Sequence, residues 1–145
     1  MSALKLSFAL AASFLLPVAS HAADMTVQVT GVRNADGVVT LCLWDKPQNF
    51  PNCNDRPVLQ RASASAKQGD VTLHLKDVAP GTYAISLYHD EKKIGHAPTD
   101  LIGKPTVGVG VSRDARGTLS APSFKDAAFT VGDKPGQLTI KIDYP

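Results

Sequence analysis

"VTLHLK", residues 71–76, decides how the rest of the chain is read. Apolar and polar side chains alternate strictly: Val71, Leu73 and Leu75 against Thr72, His74 and Lys76. Successive side chains of an extended chain point to opposite faces. This alternation therefore marks a strand with one face in a core and the other in water. His74 falls on the wet face and is expected to be solvated. "QGD" at 68–70 turns the chain before this strand, and "APG" at 79–81 turns it after. Beyond that turn, "TYAISLYHD", 82–90, places Tyr83, Ile85 and Leu87 on one face.

The same period recurs on both sides. "MTVQV", 25–29, sets Met25, Val27 and Val29 against Thr26 and Gln28. Asp36–Gly37 is a turn signal, and "VVTLCLW", 38–44, returns with Val39, Leu41 and Leu43 inward. "VLQRASASAK", 58–67, is a weaker strand of small residues. "VGVGVS", 107–112, reads as a short strand or a glycine-rich crossing. "AAFTV", 127–131, and "QLTIKIDY", 137–144, close the series, the latter with Leu138, Ile140 and Ile142 on one face. Residues 45–57 and 90–125 are read as loops. No helical period follows the N-terminal segment. Seven or eight short alternating strands predict an all-β, antiparallel, two-sheet sandwich. Without repeats or a linker, residues 23–145 form one domain.

The first 22 residues read as a signal peptide. Lys5 gives a basic start, "LSFALAASFLLPVA" an apolar stretch, and "SHA", 20–22, the small residues a signal peptidase selects. Cleavage is expected after Ala22, with Ala23 the alternative. The apolar run is too short for a membrane span. No cysteine stands at the cleavage site to take a lipid. The protein is therefore expected to be periplasmic or secreted, with no membrane span in its mature chain.

Lys and Arg number 15 and Asp and Glu 13, for a net charge of +2. No basic cluster stands out, which argues against nucleic acid as a partner. The two cysteines, Cys42 and Cys53, are expected to pair, as thiols in an oxidising compartment do.

"LYHDEKKIGHAPTDLIGKP", 87–105, is the densest run of chemistry-bearing residues. An EF-hand-type calcium loop counted from Asp90 puts Lys92 and Ile94 where oxygen ligands belong, so calcium is not expected. His89, Asp90 and His96 are candidate ligands for zinc or copper. Against this, His89 shares the parity of Ile85 and Leu87. It should point inward at the strand end and hydrogen-bond backbone or Asp90. "GVSRD", 110–114, lacks the second glycine of a nucleophile elbow. Ser86, His89 and Asp90 lie on one strand, where alternation keeps a triad from converging. No dinucleotide or phosphate-loop pattern occurs, and no cofactor is implied. Trp44 and Phe50, in and beside a proline-stiffened loop, are candidate partner contacts. In the competing reading Trp44 caps the core and Phe50 pins the loop.

Four segments carry a family resemblance: "VTGVRNADGVVTLCLWD", "VAPGTYAISLYHDE", "LIGKPTVGVGVSRDARG" and "APSFKDAAFTV". Over nearly the whole mature chain the sequence resembles the DUF2141 family of exported bacterial proteins. The resemblance implies an Ig-like or transthyretin-like β-sandwich and supplies no activity. Many members carry an acidic, Asn- and Gly-rich loop after the His-Asp pair. His89, Asp90 and Gly95 match it, whereas Lys92, Ile94, Pro98 and Val107 depart from it. The resemblance thus implies that any calcium site has been lost here.

The expectation is a non-enzymatic exported protein, a periplasmic binding or envelope accessory module that contacts an envelope protein or a small ligand through loops 45–57 and 90–117. A metal-binding protein built on His89, Asp90 and His96 is the first alternative. A hydrolase with a loop-assembled site is the second.

Overall fold

Alternation becomes strand wherever the sequence shows it. The computed structural model describes residues 11–17, 21–54, 57–117 and 120–145. Most of the expected signal peptide, residues 1–10 and 18–20, lies outside the described residues. The strands are β1 (Ala23–Val32), β2 (Val38–Trp44), β3 (Gln60–Ser65), β4 (Gly69–Val78), β5 (Gly81–Asp90), β6 (Val109–Val111), β7 (Phe129–Val131) and β8 (Gly136–Lys141). A 3-10 turn, Ser112–Asp114, follows β6, and a one-turn helix α1, Phe124–Ala127, precedes β7. The helix was not legible, because four residues are too few to display a 3.6-residue period. Its local signal is Ser123, whose hydroxyl accepts the Asp126 N–H at 3.1 Å as an N-cap.

Two sheets form the sandwich. One has three strands in the order β4-β1-β8. The other runs β3-β2-β5-β6, with β7 paired to the first residues of β5. Every strand pairing is antiparallel except β1 with β8, which run parallel in the register Val27↔Leu138. The exception has a topological cause. β8 is entered from β7, which belongs with the other sheet, so the chain crosses the sandwich and need not reverse direction as a hairpin does.

The inward rows meet as the alternation requires. Val27, Val29, Leu73, Leu75 and Ile140 pack from one sheet against Val39, Leu41, Leu43, Ile85 and Leu87 from the other. All are buried. Each such side chain stabilises the fold by roughly 1.5–3 kcal/mol through removal from water. The two open sides are laced together. The Gln60 amide donates to the Lys76 carbonyl and accepts the Lys76 N–H, both at 2.9 Å, joining β3 to β4. On the other side Val109 and Asp143 exchange backbone hydrogen bonds of 2.9 and 2.8 Å.

The β1–β2 turn is held by fit as well as by hydrogen bonds. Asn34 Oδ1 accepts the Asp36 N–H at 2.9 Å. Gly37 has φ of +67°, and a Cβ placed there would sit 1.9 Å from the Asp90 carbonyl oxygen. Both features demand glycine. Gly37→Ala should cost more than about 1 kcal/mol and lower the melting temperature by several degrees, read by thermal denaturation. An unchanged melt would show that the turn can shift without loss.

Candidate functional site

The outer face of the five-stranded sheet is where the molecule departs from a plain sandwich. Alternation sends Thr40, Cys42 and Trp44 of β2 and Ala84, Ser86 and Tyr88 of β5 away from the main core. An antiparallel sheet commonly leaves such a face to water. Here it is covered, and all six residues are buried. Cys42, Trp44, Cys53 and Tyr88 form a second apolar cluster, with Phe50, Val58, Ala97, Val107, Val109 and Phe124 packed against it.

The Cys42–Cys53 disulfide pins the 45–57 loop to this face, with a Cα–Cα separation of 5.9 Å. Closing that loop in the unfolded chain is worth about 3 kcal/mol in the chain-entropy account. The Trp44 indole N–H donates to Ser86 Oγ at 2.8 Å. Phe50 stands edge-on to both Trp44 and Phe124, with ring centres 5.8 Å apart in each case. The Ser112 hydroxyl accepts the Ile85 N–H at 2.9 Å and donates to the Ala127 carbonyl at 2.6 Å, seating α1 on β5. The structure thus places Trp44 inside the protein and Phe50 half-buried beside it. Neither ring is presented as an open contact surface, because both complete the second cluster.

The 45–57 and 90–117 loops do come together. The Asn54 amide oxygen accepts the Ala97 N–H at 2.8 Å, and its nitrogen donates to the Ala97 carbonyl at 3.4 Å. Between these loops and the sheet lies a cleft of about 760 Å³. Tyr88, Val109 and Val111 line it from the sheet, Ala97 and Ile102 from the loop, and Lys104, Arg116, Lys141 and Asp143 supply charge. Arg116 and Asp143, both on its wall, form an ion pair.

Of the three candidate metal ligands, His89 and Asp90 are engaged separately. His89 is fully buried. Its Nε2 lies 2.7 Å from the Asp36 carbonyl oxygen and its Nδ1 2.7 Å from the Tyr144 hydroxyl. A carbonyl can only accept, so Nε2 carries a hydrogen; in the neutral ring Nδ1 then accepts from the Tyr144 hydroxyl. The Tyr144 oxygen in turn accepts the Arg33 backbone N–H at 3.1 Å. His89 therefore bonds backbone, as its parity suggested, and Tyr144 takes the place expected of Asp90. The Asp90 carboxylate, also buried, accepts the Ile94 and Gly95 N–H groups at 2.9 and 2.7 Å. His96 is exposed. Among the described residues no group of three or more His, Cys, Asp or Glu side chains is arranged to hold a metal ion.

Sequence reasoning missed Tyr144, Arg33 and Glu91. The Arg33 guanidinium lies 4.5 Å from the Tyr144 ring centre and chelates the Glu91 carboxylate, with Nη2 to Oε2 at 2.9 Å. Two signals were available. Tyr144 shares the parity of Ile140 and Ile142, and Gly108 leaves room for it, since a Cβ there would come within 2.4 Å of the Tyr144 ring. Burial raises the Tyr144 hydroxyl above the usual phenol value. The Arg33 hydrogen bonds hold the Glu91 carboxyl below its ordinary value, against a weaker effect of burial.

The fold and the covered face define a class: a disulfide-bonded β-sandwich with a second apolar layer and a cleft on the outside of its larger sheet. The chain belongs to a bacterial family described as an uncharacterized protein conserved in bacteria (DUF2141), whose profile matches residues 27–139. This bears out the resemblance carried by the quoted segments. No curated protein matches the chain. Among solved structures, a pilus-presented adhesin, Spy0125 (Cpa), is similar over 90% of this chain at 16% identity with a TM-score of 0.32. The chain spans 28% of the length of that protein.

Two outcomes test the His89 cluster. Tyr144→Phe removes the hydrogen-bond partner of a buried ring nitrogen and the acceptor for the Arg33 N–H, and should cost about 1–3 kcal/mol in denaturant unfolding. The Glu91 pairing lowers the carboxyl's folded titration point, so its stabilisation is present above the ordinary glutamate range. It is lost as pH falls through the lowered folded value. Glu91→Gln should therefore be less stable than wild type at neutral pH, and the gap should close in acid. The gap is expected to be small, because solvent reaches both partners.

Proposed function

We propose that this protein is an exported, non-catalytic binding module of the cell envelope, periplasmic in location, that takes a small amphipathic ligand in the cleft over β5 and β6. The cleft itself carries the reading. Its volume of about 760 Å³ lies within the ordinary span of small-molecule sites, roughly 300–1,000 Å³. Its wall joins apolar side chains, Tyr88, Val109, Val111 and Ile102, to Lys104, Arg116 and Lys141 against Asp114 and Asp143. Asp143 engages both Arg116 and Lys141, which leaves Lys104 as the cation without an ion pair among the described residues. Such a site suits a molecule with an apolar body and an anionic end.

Export is supported by the signal-like N-terminus and by a disulfide, which persists in oxidising compartments. Ala23 is buried and pairs with Val78 at the start of β1, so cleavage after Ala22 would leave the first strand whole. A binding role is favoured over catalysis by the engagement of the buried polar groups. Ser86, Ser112, His89 and Asp90 each hold another part of the fold.

Expression with the leader should yield a periplasmic chain beginning at Ala23, read by intact mass. Titrating that ¹⁵N-labelled chain with decanoate and with 8-anilinonaphthalene-1-sulfonate should give saturable amide shifts clustered at Tyr88, Ala97, Ile102 and Val109. Shifts scattered over the surface, or none with either probe, would overturn the cleft assignment. A cytoplasmic chain retaining its first 22 residues would overturn the export assignment.

A further inference from the structure

The segment 98–106 is a small hairpin that ends in two aliphatic side chains. Thr99 and Pro105 pair as an antiparallel bridge. The Asp100 N–H donates to the Lys104 carbonyl at 2.8 Å, and the Thr106 N–H to the Pro98 carbonyl at 2.9 Å. Asp100 Oδ1 accepts the Ile102 and Lys104 N–H groups at 3.0 and 2.9 Å. Gly103, at φ of +81°, completes the reversal. The tip is therefore fixed by its own hydrogen bonds.

Turn tips are usually filled by Gly, Asn, Asp, Ser or Pro. This one carries Leu101, fully exposed, and Ile102, 86% exposed. A lone exposed aliphatic residue is ordinary. Two adjacent ones held outward on a preorganised turn form a wedge. Lys104 stands on the same hairpin, with Lys92 and Lys93 in the preceding turn. All three are exposed, and none has a carboxylate within ion-pair distance among the described residues.

We infer that the 98–106 hairpin is a membrane-interface anchor, which seats Leu101 and Ile102 among the acyl chains of an anionic lipid surface while Lys104 meets the headgroups. Charge complementarity selects this occupant: residues 92–106 carry three lysines against a single acid, Asp100, and an apolar wedge on a net-positive loop matches an anionic interface, where lysine stems extend so that the ammonium stays at headgroup level. A protein pocket is the poorer match. Docking hot spots favour Trp, Tyr and Arg and under-use Leu, and the tip has none of the favoured three. The inference goes beyond the cleft reading; Ile102 and Lys104 also line the cleft, so its test turns on Leu101, which does not. Anchoring through one short wedge is expected to be weak and reversible.

The mature chain, residues 23–145, tests this by co-sedimentation with vesicles. Phosphatidylglycerol–phosphatidylethanolamine vesicles should retain it, with retention falling as salt is raised, and phosphatidylcholine vesicles should not. Leu101→Asp should lower the partition coefficient by about tenfold or more. Lys104→Gln should lower it by about fivefold, the worth of one surface lysine. Both positions are exposed, and unchanged melting curves will confirm that the variants are folded. Decanoate titration of Leu101→Asp separates the two proposals, since cleft binding should survive. Failure of the wild type to sediment with anionic vesicles, or equal sedimentation of Leu101→Asp, would overturn the anchor and leave the cleft assignment standing. So would capture of a protein rather than lipid by a photo-crosslinker at position 101.

Discussion

A buried imidazole needs a partner for each ring nitrogen, and His89 finds its two in distant parts of the chain. One is the Asp36 carbonyl in the β1–β2 turn, and the other is the Tyr144 hydroxyl just beyond β8. The ring sits at the end of β5, so a single side chain fastens the first turn and the last residues to the centre of the larger sheet. Arg33 adds a backbone hydrogen bond to Tyr144 and lays its guanidinium over the same ring. Buried polar groups specify one arrangement because any other leaves a donor or acceptor unmet. The close approaches of Gly37 to Asp90 and of Gly108 to Tyr144 follow from this clamp, since side chains at either position would hold its halves apart.

The second apolar layer determines where binding could occur. A sheet face that would otherwise be wet is closed by the disulfide-held loop, by α1 and by the segment around Ala97. That cover has a gap, and the cleft is the gap. Its walls belong to loops, but those loops are tied by Asn54 to Ala97 and by Cys53 to Cys42. The cleft is thus preformed, which would reduce the ordering cost of the proposed binding.

The two-sheet core was legible because period-two alternation reports burial directly. Val27, Leu41, Leu73, Ile85 and Ile140 all fall where parity puts them. His89 followed the same rule, and its inward position was readable when its partners were not. Those partners depend on which loops meet, which is a long-range property that no local pattern encodes. Trp44 shows the limit most clearly. Its parity said only that it faced away from the main core. Whether that face was water or a second layer depended on where Phe50, Ala97 and Phe124 would fold back. The parallel pairing of β8 escaped for a similar reason, since strand direction is decided by the route of the connection and not by the strand's own residues.

That pairing also bears on the order in which the molecule can assemble. β1 lies at the centre of its sheet, between β4 and β8, and one of its two neighbours is the last strand of the chain. The His89 clamp likewise waits for Tyr144. A chain lacking its final segment leaves one edge of β1 unpaired and a buried imidazole short of a partner. Contacts this distant in sequence form slowly, because the intervening chain must first be brought round. The β1–β8 pairing and the His89 clamp therefore close only once residues 136–144 have joined the fold, so the N-terminal strand and the central histidine both depend on the far end of the sequence.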